Sequence, residues 1–141
     1  TMEGPLLTRT VQNPEKRQVM LLAQADFQSR IRRMGVPVHV RFLPIAELTE
    51  MLTDGALAIL LISGNRMFGK KVPHWVMAWA ADEAHVLLHD PWVEGKAFET
   101  ATDAASIPVP FGELDRMWRW GSDRLRAAVI LRRGARKRER A

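Results

Sequence analysis

His74 and Asp90 are the two residues of this sequence whose types and placing could move a proton together. They lie in the stretch K-V-P-H-W-V-M-A-W-A-A-D-E-A-H-V-L-L-H-D-P-W, Lys71 to Trp92, where His74 heads one run of strand-forming residues and Asp90 closes the next. A carboxylate that holds one nitrogen of an imidazole leaves the other nitrogen to act as a general base. That pair is half of a nucleophile–His–acid apparatus. The plainer reading gives both residues ordinary work, a His at a strand edge and an Asp before Pro that starts a turn. Trp75 and Trp92 each flank one member of the pair and are candidate walls of a substrate groove. The other tryptophans read mostly as core.

Other chemistry is weaker. His85 and His89 share one face of a strand, but ligands four residues apart there are separated by about 13 Å at a rise of ~3.3 Å per residue. They cannot share one ion, and His39 lies elsewhere, so neither a metal nor any other cofactor is expected. Thr1 could be an amino-terminal nucleophile with its own amine as base, yet Met-Glu-Gly-Pro after it reads as an extended lead-in. Arg66, Lys70 and Lys71 sit in a glycine-containing loop that could hold an anion, but no phosphate-cradling G-x-x-x-x-G-K-[ST] pattern accompanies them. The chain contains no cysteine, which removes disulfides, thiolate metal sites and any thiol nucleophile of its own. That fits a reducing, cytoplasmic compartment.

The elements that must position His74 and Asp90 follow from pattern. His74 to Ala80 and His85 to His89 are aromatic and β-branched runs bounded by Pro73 and Pro91, with the polar turn Ala81-Asp82-Glu83-Ala84 between them. This predicts a β-hairpin, whose antiparallel pairing brings the start of one strand beside the end of the other. Upstream, Asn13-Pro14-Glu15 is a helix start, and the helix runs to about Met34 with Val19, Leu22, Ala23, Phe27, Arg30 and Ile31 on one stripe, stopped by Gly35. Val36 to Phe42 alternates as a half-wet strand, Ile45 to Thr53 is a short helix closed by Asp54-Gly55, and Ala56 to Ser63 is a central strand apolar on both faces. After Asp90 the chain loosens through Gly95 to Pro110, with a weak strand near Lys96 to Thr100. A helix over Phe111 to Trp120 and a closing strand over Arg124 to Arg132 complete an α+β layout, a mostly antiparallel sheet packed by helices.

Composition sets the bounds. At 141 residues and 47% hydrophobic, the chain suits one compact domain with a real core. We expect that domain over 1–133, followed by a basic disordered tail over 134–141. No apolar run approaches the length of a membrane span, and no signal peptide pattern opens the chain. Much of the net charge of +5 sits in the last ten residues, R-R-G-A-R-K-R-E-R-A. A terminal basic tail reads as a solvated end before it reads as a nucleic-acid surface.

G-A-L-A-I-L-L-I-S followed by P-H-W-V-M-A-W-A-A-D-E-A-H-V-L-L-H-D-P-W resembles the His and Asp blocks of the double-glycine leader peptidases. These are the papain-like cysteine peptidases that process bacteriocins, peptidase family C thirty-nine. Gly4 to Leu6, Glu15 to Phe27 and the F-x-E-L-x-x-M-W segment from Phe111 to Trp118 resemble its uncharacterised bacterial peptidase-like branch, so the likeness covers most of the chain. It implies a papain-like half-domain in which His74 is the general base and Asp90 orients it, acting on a peptide or protein substrate. In that family the nucleophilic Cys and a Gln that stabilises the oxyanion lie upstream of everything seen here. Two explanations stand. The chain is the C-terminal portion of a longer protein, as the start at Thr1 without an initiator methionine suggests, or it is a lineage that kept the fold for binding after losing the nucleophile. The expectation is a hydrolase-derived chain inactive alone, needing an N-terminal half that carries Cys and Gln and exposing an apolar face that favours self-association. The rival classes are a non-catalytic peptide-binding module and a basic-tail nucleic-acid binder.

Overall fold

The computed structural model describes residues 11–93, 98–121 and 124–134, which fall into two compact units, Thr1–Arg41 and Phe42–Ala141. In the first unit, helix α1 (Pro14–Arg33) begins as the sequence predicts. Asn13 accepts a hydrogen bond from the Lys16 backbone N–H at 3.0 Å, and Pro14 follows it. Arg30, Arg32 and Arg33 occupy the last turn, where their charge suits the carbonyl end of the helix. Gly35 takes a left-handed turn at φ 68°, which a residue with a side chain adopts only under strain. None of the helix residues is buried, so the stripe of Val19, Leu22 and Phe27 stays exposed.

The strand expected over Val36 to Phe42 does not form. Alternation supplies an apolar face, but a strand also needs a neighbouring ladder, and no described residue pairs with this one. Val36, Val38, Val40 and Phe42 are exposed as a result. A short strand over Leu6 to Val11, which the sequence also allows, and the weak strand near Lys96 lie, for the most part, outside the described residues. Phe98 and the residues after it form turns instead.

The second unit contains helix α2 (Ile45–Thr53), strand β1 (Leu57–Ser63), the one-turn helix α3 (Asn65–Phe68), strands β2 (Pro73–Ala81), β3 (His85–His89) and β4 (Ile107–Pro110), helix α4 (Phe111–Met117) and strand β5 (Ala128–Leu131). The strands form one antiparallel sheet in the order β4-β3-β2-β1-β5. This is the α+β arrangement that the sequence predicts. One face of the sheet carries Ala58, Leu60 and Ile62 of β1, Val76 and Ala78 of β2, Val86 and Leu88 of β3 and Val109 of β4. They pack with Leu48 and Leu52 of α2, Leu114 and Met117 of α4, and Trp118, all buried. Removing this much apolar surface from water is what holds the unit together.

Three elements depart from the predicted pattern. Strand β4 falls in the stretch that the sequence predicts as loose chain, and its Pro108 and Pro110 cannot donate to a ladder. It lies at the sheet edge, where that lack is tolerated, and pairs Val109 with Val86 and Ile107 with Leu88. Helix α4 stops at Met117 because Trp118 turns inward. The Trp118 indole N–H donates to the Ala127 carbonyl at 3.0 Å, and Trp120 bridges to Leu125. Strand β5 is correspondingly shorter than predicted, since Arg126 leaves the strand to serve as a clasp. Its guanidinium donates to the Leu43 carbonyl at 2.8 Å and to the Asp115 carboxylate, and lies over the rings of Phe42 and Trp118.

Candidate active site

The β2–β3 hairpin is closed by Asp82, whose Oδ1 accepts the backbone N–H groups of Ala84 at 2.7 Å and His85 at 2.6 Å. These two bonds, more than the neighbouring His85 ring, hold the Asp82 carboxyl below its ordinary range. Near the turn Ala81 faces Val86 and Ala80 faces Leu87. Farther along, Ala78 faces Leu88 and Met77 faces His89. Trp79 is therefore an extra residue, a β-bulge that moves β2 by one position against β3. Ala81 is on the core side before the bulge and Ala78 is on the core side after it. By alternation His74 and Val76 then share that side, and so does Asp90, one step beyond His89 on β3.

The pair meets there. His74 Nε2 lies 2.6 Å from Asp90 Oδ1, with the two side chains 13% and 5% exposed. The same oxygen accepts the Trp92 backbone N–H at 2.8 Å, and the Asp90 N–H donates to the Ala104 carbonyl at 2.8 Å. Ala104 is held in turn by a knot in which Asp103 accepts hydrogen bonds from the Thr100 hydroxyl and backbone N–H. Those bonds lower the Asp103 carboxyl from its ordinary value. With Oδ1 accepting, Nε2 carries the imidazole proton and Nδ1 carries the lone pair. Among the described residues no hydrogen bond to Nδ1 is found. This is an imidazole held by a carboxylate, an arrangement in which the second nitrogen can serve as a general base.

The flanking tryptophans are placed differently from one another. Trp92 stays beside the pair through its backbone, and its side chain is 59% exposed. Trp75 pairs with Leu61 and, one residue from His74, projects from the opposite face of the sheet. Adjacency in sequence does not bring Trp75 to the same groove as His74. A residue the sequence reading missed does reach the pair: the ring of Phe68 stands edge-on to the His74 ring at 5.1 Å and 83°. The available signal was the Phe68-Gly69 end of a helical turn inside what reads as a basic loop.

Several of the remaining candidates are engaged elsewhere. Arg66 is bound to Glu113 at 2.5 Å, His85 contacts Asp82, and His89 stacks on Trp79 with ring centroids 5.5 Å apart while its Nδ1 accepts the Ser106 N–H at 3.0 Å. No cluster of three or more potential metal ligands occurs among the described residues. Thr1 lies outside them. No helix among the described residues is long and apolar enough to cross a membrane.

No curated protein and no solved structure matches the chain significantly. A family model described as "Peptidase_C39 like family" does, over residues 1–132, a span that includes the hairpin and both members of the His74–Asp90 pair. The chain thus belongs to the Peptidase_C39 like family.

Proposed function

We propose that this chain supplies the general base and its orienting acid for thiol-dependent hydrolysis of a peptide bond, with the nucleophile contributed from outside these residues. The observation that carries the reading is the 2.6 Å contact between His74 Nε2 and Asp90 Oδ1, with Nδ1 left unbonded, in a chain of a peptidase-like family. The sequence contains no cysteine. A polypeptide bearing a Cys, with a Gln to stabilise the oxyanion, is the implied partner, and an extended peptide of the leader type is the substrate.

In this scheme His74 Nδ1 takes the thiol proton as sulfur bonds to the scissile carbonyl carbon and the C=O electron pair moves to oxygen. The tetrahedral intermediate collapses, the C–N bond breaks, and the Nδ1 proton passes to the departing amine. Water, deprotonated by the same nitrogen, then releases the acyl group from sulfur. Asp90 remains a carboxylate throughout; it fixes the tautomer and offsets the imidazolium charge. The exposed Trp92 side chain gives the substrate an apolar surface beside the acid.

The test is cleavage of a peptide by the chain complemented with a Cys- and Gln-bearing partner. We expect His74→Ala to abolish turnover while leaving the fold intact. Unchanged cleavage by that variant would end the proposal. The lack of a cysteine also favours a second reading, a peptide-binding module without catalysis. Under that reading the chain alone binds extended peptides tightly, and Asp90→Ala leaves the affinity unaltered.

A further inference from the structure

We propose that Phe68, seated on Gly64, is a positioning residue that sets the ring orientation of His74. This inference rests on the reading of His74 as the base. The segment between β1 and β2 is tightly closed: the Gly64 N–H donates to the Val72 carbonyl at 3.0 Å, and Ser63 pairs with Pro73. Within it the Gly64 carbonyl accepts the N–H groups of Met67 at 3.1 Å and Phe68 at 2.9 Å, which winds α3 into one turn. Gly69, at φ 70°, ends the turn and donates back to Asn65 at 3.0 Å. Phe68 is thereby folded back over Gly64.

The space for that ring exists only because residue 64 has no side chain. A Cβ on Gly64 would stand 2.2 Å from Phe68 Cε2 and 2.8 Å from Cζ. One side of the ring thus rests on the Gly64 backbone, and the ring meets the imidazole edge-on. Arg66 in the same turn is tied to Glu113 of α4, which holds α3 in place. Phe68 is 36% exposed, so the ring is not there chiefly to fill the core. An imidazole can offer either nitrogen to a carboxylate by turning about its Cβ–Cγ bond. A ring wall on one side admits the orientation in which Nε2 meets Asp90 and Nδ1 stays available. General-base catalysis depends steeply on such placement.

The experiment reads the His74 ring nitrogens and the Nε2 proton by NMR in the full chain, without a partner or substrate. In the parent we expect the Nε2–H tautomer and a proton protected from exchange. In Phe68→Leu the proton exchanges roughly tenfold faster or more as the orientation loosens, as a displaced ring demands, and the melting transition is retained. Phe68→Tyr restores the parent signals. Gly64→Ala, which must push the ring aside, reproduces the Phe68→Leu spectrum in the parent and adds nothing in the Phe68→Leu background, a coupling that only an effect through the ring produces. Unchanged His74 signals in Phe68→Leu, loss of the hairpin fold in that variant, or a Gly64→Ala effect independent of the ring would each overturn the proposal. Loss of the base role itself would show separately, as full cleavage by the complemented His74→Ala chain.

Discussion

Asp90 Oδ1 accepts from both His74 Nε2 and the Trp92 backbone, so the carboxylate is fixed in angle as well as in charge. Asp90→Asn preserves its shape but offers an N–H or a weaker acceptor to Nε2. We expect cleavage by the complemented chain to fall by about a hundredfold or more in kcat/KM, measured with a peptide substrate. Asp90→Ala also leaves a nearly buried Nε2–H without a partner, and urea unfolding should register a loss of about 1–3 kcal/mol. Arg126 is the other residue whose removal orphans its neighbours, since its side chain is 5% exposed and binds both Leu43 and Asp115. Arg126→Ala should destabilise the fold by about 3 kcal/mol, again by urea. Burial alone would raise the Asp115 carboxyl; the bond and charge of Arg126, with those of Arg119, outweigh it and hold the group below its ordinary range. A lowered carboxyl contributes stability that is complete above its unfolded value, near ~4, and is lost as pH falls through its folded value. Acid unfolding should therefore begin below about pH 4, and Asp115→Asn should flatten the stability curve over that window.

At the scale of elements, Asp82→Ala removes the acceptor for two backbone N–H groups at the hairpin turn. A lowered melting temperature, with much of it recovered in Asp82→Asn, is the expected calorimetric result. Leu88 is fully buried in the core beneath α4, and Leu88→Ala should cost about 3 kcal/mol through the cavity it leaves. The hairpin, α2 and β1 were legible in the sequence because their signals are local: alternation, a turn rich in polar residues, an unbroken apolar run. The His74–Asp90 contact was legible for the same reason, since it follows from folding one strand back on the next. Strand β4 was hidden by its prolines, which only an edge position excuses, and an edge is a property of the sheet. Val36 to Phe42 shows the converse, a strand pattern without a ladder to join. Trp75 was misplaced because neighbours in a strand face opposite ways, and Phe68 was missed because its role depends on what Gly64 lacks.

For the whole molecule, the net charge of +5 is concentrated at the carboxyl end, so the body of the chain is nearly neutral. Binding to nucleic acid, if measured by titration at several salt concentrations, should be weak, fall steeply with salt, and disappear on deletion of residues 132–141. The His74 signals should not change in that truncated chain, because the pair is held by the hairpin and the Asp103 knot. The bulge at Trp79 carries a further consequence. A two-stranded ribbon has a parity, and by absorbing the single surplus residue the bulge lets His74 still come out on Asp90's side. Lengthening the turn or excising Trp79 should be tolerated, since either leaves Met77 in step with His89, whereas adding one residue between His74 and Ala78 would send the imidazole to the wrong surface with every nearby amino acid unchanged. The chemistry of this hairpin has, in effect, a reading frame.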